Sequence, residues 1–419
     1  MSIPDGRLGV YVHFPYCTRR CPYCDFNVTV RPVEHERYRD GVLAELAVRS
    51  TDFAGRRPAL SVYFGGGTPG LWRPDCIEAV IEGVRQHLGL AQAAERAVAK
   101  QSEPAKEPAS VAERRGNPLG SLTFSAAEAA EITVECNPED VTREHLAGLR
   151  AAGVTRISLG TQSFDDAQLV RLGRQHDAAT NRRAVEAVHA VGFPGLSLDL
   201  IYGGFGQSRA QALADVAAAA ALAPTHLSAY QLTIESGTPF GARAARGEAL
   251  TGPDDDLADL FEAVREAAGA AGYLPYEISN FARPGHEAVH NSLYWTFAEY
   301  VALGAGAHGF RKRSDGTAVR WENARPLARY LAGALAGTPA EQSSDVIDAD
   351  TLLEERLFTG LRLEAGLPID GALEARFGAA ARRQAEAGLL VCSPTHWRTT
   401  PRGRLLLNRV VLAMVDAPG

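Results

Sequence analysis

Strand-like runs recur at residues 8–14, 60–64, 131–136, 156–160, 196–202 and 226–232, and helical patterns lie between them. The runs are short and rich in β-branched and aromatic residues. The helical stretches fall at 35–49, 74–88, 143–152, 166–172 with 180–191, and 209–222; Gly153 and Gly192 stand where two of them stop. Every strand-to-strand connection is long enough for a crossover, which parallel strands require and a hairpin does not. The six strands are too few for a closed eightfold barrel. The expected fold class is α/β, a partial (β/α)6 TIM-like barrel, open like a three-quarter ring. In barrels of this kind the functional side chains sit on the loops that follow the strands.

The loop after the first strand carries Cys17, Cys21 and Cys24. Three thiols crowded into one loop make a soft-ligand set suited to iron–sulfur clusters or zinc. A closed zinc site or an ordinary ferredoxin cluster takes four protein ligands, and Asp25-Phe26-Asn27 supplies no fourth. A four-iron cluster held by three cysteines leaves one iron open to a non-protein ligand. The alternative is a zinc loop completed from a distance by Cys76, Cys136 or Cys392. A disulfide suits the loop less, because three clustered cysteines leave one over and residues 1–7 lack the apolar core of a secretory segment.

The second strand ends in Gly65-Gly66-Gly67-Thr68-Pro69, where missing side chains let backbone approach a ligand closely. Alone, a glycine triplet is more often a turn; after a three-cysteine loop it points to a binding edge. Acidic and amide side chains end later strands: Glu135, Gln162 and, within the fifth, Asp199, with Arg174 shortly after the fourth. A guanidinium suits a carboxylate, and a carboxylate accepts from hydroxyls. Each also has an ordinary structural reading, as a cap, an exposed charge or a buried acid.

The 419 residues carry a net charge of −7, with 46% hydrophobic and 22% charged residues, which fits a globular chain and disfavours nucleic-acid binding. No apolar run is long enough to span a membrane, and few cysteines, half of them in one loop, fit a reducing cytoplasm. Residues 91–130, rich in Ala, Glu, Lys and Pro, read as a disordered insertion. The expected domains are 1–250 (barrel), 251–344 (a middle segment) and 345–419. In the last, a helix at 351–361, helices at 370–377 and 380–387, a hairpin at 389–399 and a helix at 401–415 suggest a winged-helix-like α+β domain without a basic recognition helix. Residues 341–345 read as a polar linker and 303–309 as a glycine-rich turn.

Taken together, Tyr11-Val12-His13-Phe14-Pro15, the three cysteines and the glycine segment resemble the radical S-adenosylmethionine (SAM) superfamily. The resemblance implies a 4Fe-4S cluster on Cys17, Cys21 and Cys24, whose open iron chelates the amino and carboxylate groups of SAM. An electron from the cluster then breaks a carbon–sulfur bond to give a 5′-deoxyadenosyl radical. Carried over residue by residue, it implies SAM contacts at Tyr11, Gly66, Gly67, Thr68, Glu135, Gln162, Arg174 and Asp199. Within the superfamily the chain is similar, over almost its whole length, to the oxygen-independent coproporphyrinogen III oxidase group. True oxidases of that group carry an N-terminal extension and a further cysteine two positions after the third, where this chain has Phe26. The heme-chaperone branch has phenylalanine there and a His-Asn-x-x-Tyr-Trp motif, matched by His290, Asn291, Tyr294 and Trp295.

That branch implies a cytoplasmic protein that binds heme, with His290 a candidate ligand. It implies delivery of the heme to an acceptor protein, at the membrane surface or elsewhere, with a low-potential electron donor and without the oxidase activity. His308 is a rival ligand expected nearer the SAM pocket, and His13 reads as structural. Radical decarboxylation of coproporphyrinogen III remains the alternative, and a non-SAM iron–sulfur or zinc protein a second. Gly203-Gly204-Phe205-Gly206 departs from the group's Gly-x-Pro-Gly turn, which implies a looser loop.

Overall fold

The computed structural model describes residues 6–92, 129–338 and 341–417, so most of the segment read as a disordered insertion lies outside the described residues. Strands β1 (Leu8–Phe14), β2 (Ser61–Gly66), β3 (Glu131–Cys136), β4 (Arg156–Gln162), β5 (Gly195–Tyr202) and β6 (His226–Gln231) lie side by side in chain order, every neighbouring pair parallel. The returns run through α1 (His35–Arg49), α2 (Pro74–His87), α3 (Arg143–Ala151), α4 (Asp166–Arg171), α5 (Ala178–Val191) and α6 (Arg209–Ala221). Of β1 only Tyr11 is not fully buried, as expected of a strand covered on both faces. Helix starts are fixed locally: Thr142, Asp165 and Asp177 accept from first-turn N–H groups, and Ser208 and Gln211 cap each other.

The sheet does not stop at six strands. β9 (Glu299–Leu303) pairs in parallel with β1, and β10 (His308–Lys312), β11 (Ala318–Asn323) and β12 (Glu341–Ile347) continue as an antiparallel meander. At the far edge β8 (Asn280–Ala282) and β7 (Leu274–Pro275) run antiparallel beyond β6, and α7 (Pro239–Ala244) and α8 (Asp254–Ala270) lie in the chain before them. Two sequence expectations change here. The glycine turn exists, with Gly304 and Gly306 at φ +101° and +75°, but it joins two strands. The supposed linker at 341–345 is strand β12, which also runs across the boundary drawn at 344. It is an edge strand exposed along nearly its whole length, so it has no hydrophobic alternation to read.

Helix α9 (Val289–Trp295) lies across the end of the barrel at which the strands begin. His290 touches Ser61 and Glu131, the first residues of β2 and β3. A Cβ on Gly9 of β1 would lie 3.0 Å from Leu293 and 3.4 Å from the His290 ring. Helix α10 (Leu327–Leu335) packs on α1, where Gly41 leaves room for Leu331.

The C-terminal unit has its own core, which includes Leu357, Phe377, Trp397 and Met414. It comprises α11 (Ala349–Gly360), β13 (Leu367–Pro368), α12 (Gly371–Glu386), β14 (Leu390–Cys392), β15 (His396–Thr399), α13 (Pro401–Leu405) and α14 (Leu407–Val415), with the three strands in the order β13-β15-β14. The two helices expected at 370–387 are one: Leu373, Phe377, Ala380 and Ala381 keep a single buried face through Gly378. The helix expected at 401–415 is instead broken at Leu406. Glu364 ties the unit to the barrel, accepting from Arg265 of α8 at 2.9 Å and from Arg404 at 2.7 Å.

Candidate functional site

A cavity of about 560 Å³ opens at the C-terminal ends of the barrel strands and runs down the barrel interior. Its mouth is the loop between β1 and α1. Both margins of that loop are tied down: Thr29 N–H donates to Pro15 O at 2.7 Å, and Cys17 N–H to Thr29 O at 3.0 Å. The Asn27 side chain donates to Ala305 O and Arg325 O, while its own carbonyl is bonded to His13. His13 is thus buried and structural, as expected. Cys17, Cys21 and Cys24 are half-buried and all line the cavity. Burial pushes the Cys17 thiol up to about 11 and raises that of Cys24. Thr68 Oγ1 donates to Cys17 Sγ at 3.6 Å, and the Arg174 guanidinium reaches Cys21 Sγ at 3.4 Å, donors suited to thiolates.

Of the distant cysteines, Cys76 is buried on α2 and Cys392 sits in the C-terminal unit, so neither completes the loop. Cys136 touches the cavity but is packed against Gly70, where a Cβ would come within 2.7 Å of its sulfur. Among the described residues no three His, Cys, Asp or Glu side chains converge as closely as one metal ion requires. Three thiols on one cavity wall, with hydrogen-bond donors beside two of them, are a soft donor set that fits an iron–sulfur cluster.

The glycine segment closes one side. Gly66 N–H donates to Glu135 at 3.1 Å, Gly67 N–H to Phe14 O at 2.7 Å and Thr68 N–H to Tyr16 O at 2.8 Å. With its donors engaged, the segment can offer a ligand acceptors only, which suits an ammonium group. Space is tight: a Cβ on Gly67 would lie 2.6 Å from Tyr16 O, and one on Gly66, at φ +111°, would collide with the His13 ring.

Glu135 also accepts from Tyr63 O–H at 2.6 Å. Its carboxyl faces the cavity yet is enclosed by protein, and burial pushes it up to about 7, with the Asp199 charge adding to the rise. Asp199 accepts from Ser158 at 3.1 Å and is likewise raised by burial. Two desolvated carboxyls in one cavity call for a positively charged ligand. Arg174 supplies the opposite charge: it donates to Asn137 at 2.7 Å and to Gly160 O at 3.3 Å, while its Nε is buried without a partner. An unpartnered guanidinium N–H in a cavity wall suits a ligand carboxylate. Gln162 sits at a register shift between β4 and β5 with φ +63°, which turns its side chain towards the cavity at the strand end. Tyr11 lines the same space and bonds His13 at 3.0 Å.

His290 lies at the opposite end of the barrel from the thiol loop. It is buried, stacked on Tyr63 with ring centroids 5.0 Å apart, and bonded on both ring nitrogens, Nδ1 with Ser61 at 2.8 Å and Nε2 with Tyr294 at 2.9 Å. Burial pushes it down to about 3, so it is neutral, with its one lone pair already accepting a hydroxyl proton. It can ligate a metal only by giving up one of these bonds. His308 is half-exposed beside Glu322 on the meander and does not line the cavity. Sequence reasoning missed Tyr63, Asn137 and Asn27; the last two flank the motifs, but an asparagine in a loop has no distinctive signal. The Gly203–Gly206 loop is pinned rather than loose: Phe205 N–H bonds Leu250 O at 2.8 Å and its ring packs edge-on against Phe240.

An open barrel with three thiols at its mouth, a glycine edge and a guanidinium defines the radical SAM class, and the sequence family described as the radical SAM superfamily matches residues 11–219. The HemN C-terminal domain family matches residues 347–406. The chain is 33% identical to heme chaperone HemW of Escherichia coli, covering 96% of this chain and 97% of that one. It is 36% identical to heme chaperone HemW of Mycobacterium tuberculosis, covering 99% and 96%. The chain belongs to the HemW family of radical SAM proteins. Among solved structures, the radical SAM enzyme coproporphyrinogen III oxidase HemN of E. coli superposes with a TM-score of 0.73 at 21% identity, over 98% of this chain and 90% of that one, a likeness of fold.

Proposed function

We propose that this protein is a heme chaperone that binds a 4Fe-4S cluster through Cys17, Cys21 and Cys24, holds SAM in the barrel cavity and passes heme to an acceptor protein in the cytoplasm. One observation supports the cluster and SAM half most directly: three thiols, a guanidinium with an unpartnered N–H and two desolvated carboxyls share a single cavity. The heme half rests on the full-length relatives. When bound, the cluster supplies a single electron and an iron with an open coordination position. The chain's own groups would orient the ligand: Arg174 its carboxylate, the glycine edge its ammonium, Glu135 and Asp199 its positive charge, and Gln162 and Tyr11 its remaining polar edge. No helix among the described residues is long and apolar enough to cross a membrane.

The competing reading is oxidative decarboxylation of coproporphyrinogen III. Against it stands Phe26, well exposed at the cavity mouth, where the oxidase branch places another cysteine. The test is anaerobic cluster reconstitution followed by two parallel assays. Hemin binding and transfer without protoporphyrinogen formation supports the chaperone; turnover of coproporphyrinogen III with SAM and a reductant overturns it.

A further inference from the structure

A second cavity, of about 310 Å³, lies between the sheet extension and α11 of the C-terminal unit. Five aromatic rings line it: Tyr294 and Phe297 from α9 and its exit, Tyr300 from β9, Phe310 from β10 and Phe358 from α11. Four of them form a continuous set, with centroids 4.7 Å apart for Tyr294–Tyr300, 6.0 Å for Tyr300–Phe310 and 5.1 Å for Phe297–Phe310. Across the gap Arg320 and Glu355 form a two-pronged ion pair at 2.7 and 2.8 Å, joining barrel to C-terminal unit. Phe358 is 42% exposed.

Two groups next to the lining, one stacked on Phe358 and one following Tyr294 in the chain, point to what belongs there. The Arg362 guanidinium lies 3.7 Å over the Phe358 ring and 5.7 Å from the Trp295 ring. It donates to Phe358 O at 2.6 Å and to Asn408 at 3.5 Å. It is half-buried, and no carboxylate among the described residues forms an ion pair with it. The indole Nε1 of Trp295 is buried with no partner. A half-buried cation that feels the Glu277 charge but has no carboxylate in direct contact, next to an orphaned N–H and against the Phe358 wall of an aromatic slot, fits a flat apolar ring bearing carboxylates.

We infer that heme docks in this second cavity, its ring against the aromatic set and a propionate on Arg362, rather than in the barrel cavity with His290 as direct ligand; this rests on the heme-binding reading above. Tyr294 stands in the walls of both cavities. Its hydroxyl bonds His290, which stacks on Tyr63, which in turn donates to Glu135. His290 is then a positioning residue between the heme slot and the SAM pocket.

The test is titration of the full-length, cluster-loaded protein with hemin, followed by absorbance and by quenching of tryptophan fluorescence. Phe358→Ala and Arg362→Gln should each weaken hemin binding by about tenfold or more while iron content stays at the wild-type level. Wild type should prefer protoporphyrin IX to its dimethyl ester, and Arg362→Gln should lose that preference. If both variants retain wild-type iron content and bind hemin within about twofold of wild type, heme sits elsewhere and only this inference falls. It falls equally if wild type binds diacid and diester alike, a comparison that requires no variant to fold. If wild type binds no hemin at all, the heme-binding reading fails first.

Discussion

Glu135 offers the sharpest test of the barrel cavity. Its carboxyl is raised from 4.5 to about 7 by burial. Between those values the folded protein holds a proton that the unfolded chain has released, so stability falls as pH rises through that window and levels off above it. At about 1.4 kcal/mol per unit, the shift corresponds to at most about 3.5 kcal/mol, an upper limit because the side chain faces a cavity that admits water. Glu135→Gln keeps an acceptor for Tyr63 O–H but turns an amide N–H₂ towards Gly66 N–H, costing about 1–3 kcal/mol at every pH. The informative quantity is therefore the slope. Melting the ligand-free protein from about pH 5 to 8 should show Glu135→Gln gaining on wild type as pH rises, because the two proteins share the other raised carboxyls, among them Asp199, Glu45 and Glu277, and the buried neutral histidines such as His290, whose contribution runs the opposite way. A sulfonium-bearing ligand should reverse the effect: positive charge lowers the carboxyl pKa, so SAM binding releases a proton and tightens as pH rises towards about 7. Calorimetry in buffers of different ionisation enthalpy counts that proton. Identical slopes in the two proteins, or no proton released on SAM binding, would refute the reasoning.

Three further outcomes follow from the same geometry. Substituting any one of Cys17, Cys21 and Cys24 by Ala should abolish bound iron and sulfide after reconstitution, whereas Cys136→Ala, with its thiol packed under Gly70, should retain them by metal analysis. Asn27→Ala removes two side-chain hydrogen bonds that hold the exit of the thiol loop; it should cost about 1–3 kcal/mol and speed loss of the cluster to a chelator. His290→Ala strands the Ser61 and Tyr294 hydroxyls in a buried setting, so its expected signature is a drop of about 2–4 kcal/mol in stability by denaturant unfolding.

The barrel was legible because its strands are buried on both faces and its helices carry standard stops, such as Gly192. The three cysteines and the glycine edge were legible because their spacing is local. What escaped was information held between distant segments. β9 pairs with β1, Leu8 opposite Glu299, across more than half of the chain, β12 is an exposed edge without alternation, and α12 runs through a glycine because its buried face is uninterrupted. At the site, Glu135 and Arg174 were identifiable as charges at strand ends. That His290 would sit at the opposite end of the barrel, with both nitrogens engaged, depends on where α9 packs, and a short local motif does not carry that.

Asn27 fastens the thiol loop to carbonyls 278 and 298 positions further along the chain. A ribosome working from the amino terminus therefore releases the three cysteines long before it has made the anchors that shape them. The loop takes up its final, anchored geometry only once the polypeptide past Arg325 has emerged and folded back. A chain truncated before Ala305 keeps Cys17, Cys21 and Cys24 but lacks both carbonyls that fasten their loop, so it should hold its cluster less well than the full chain and lose it faster to a chelator, as expected of Asn27→Ala.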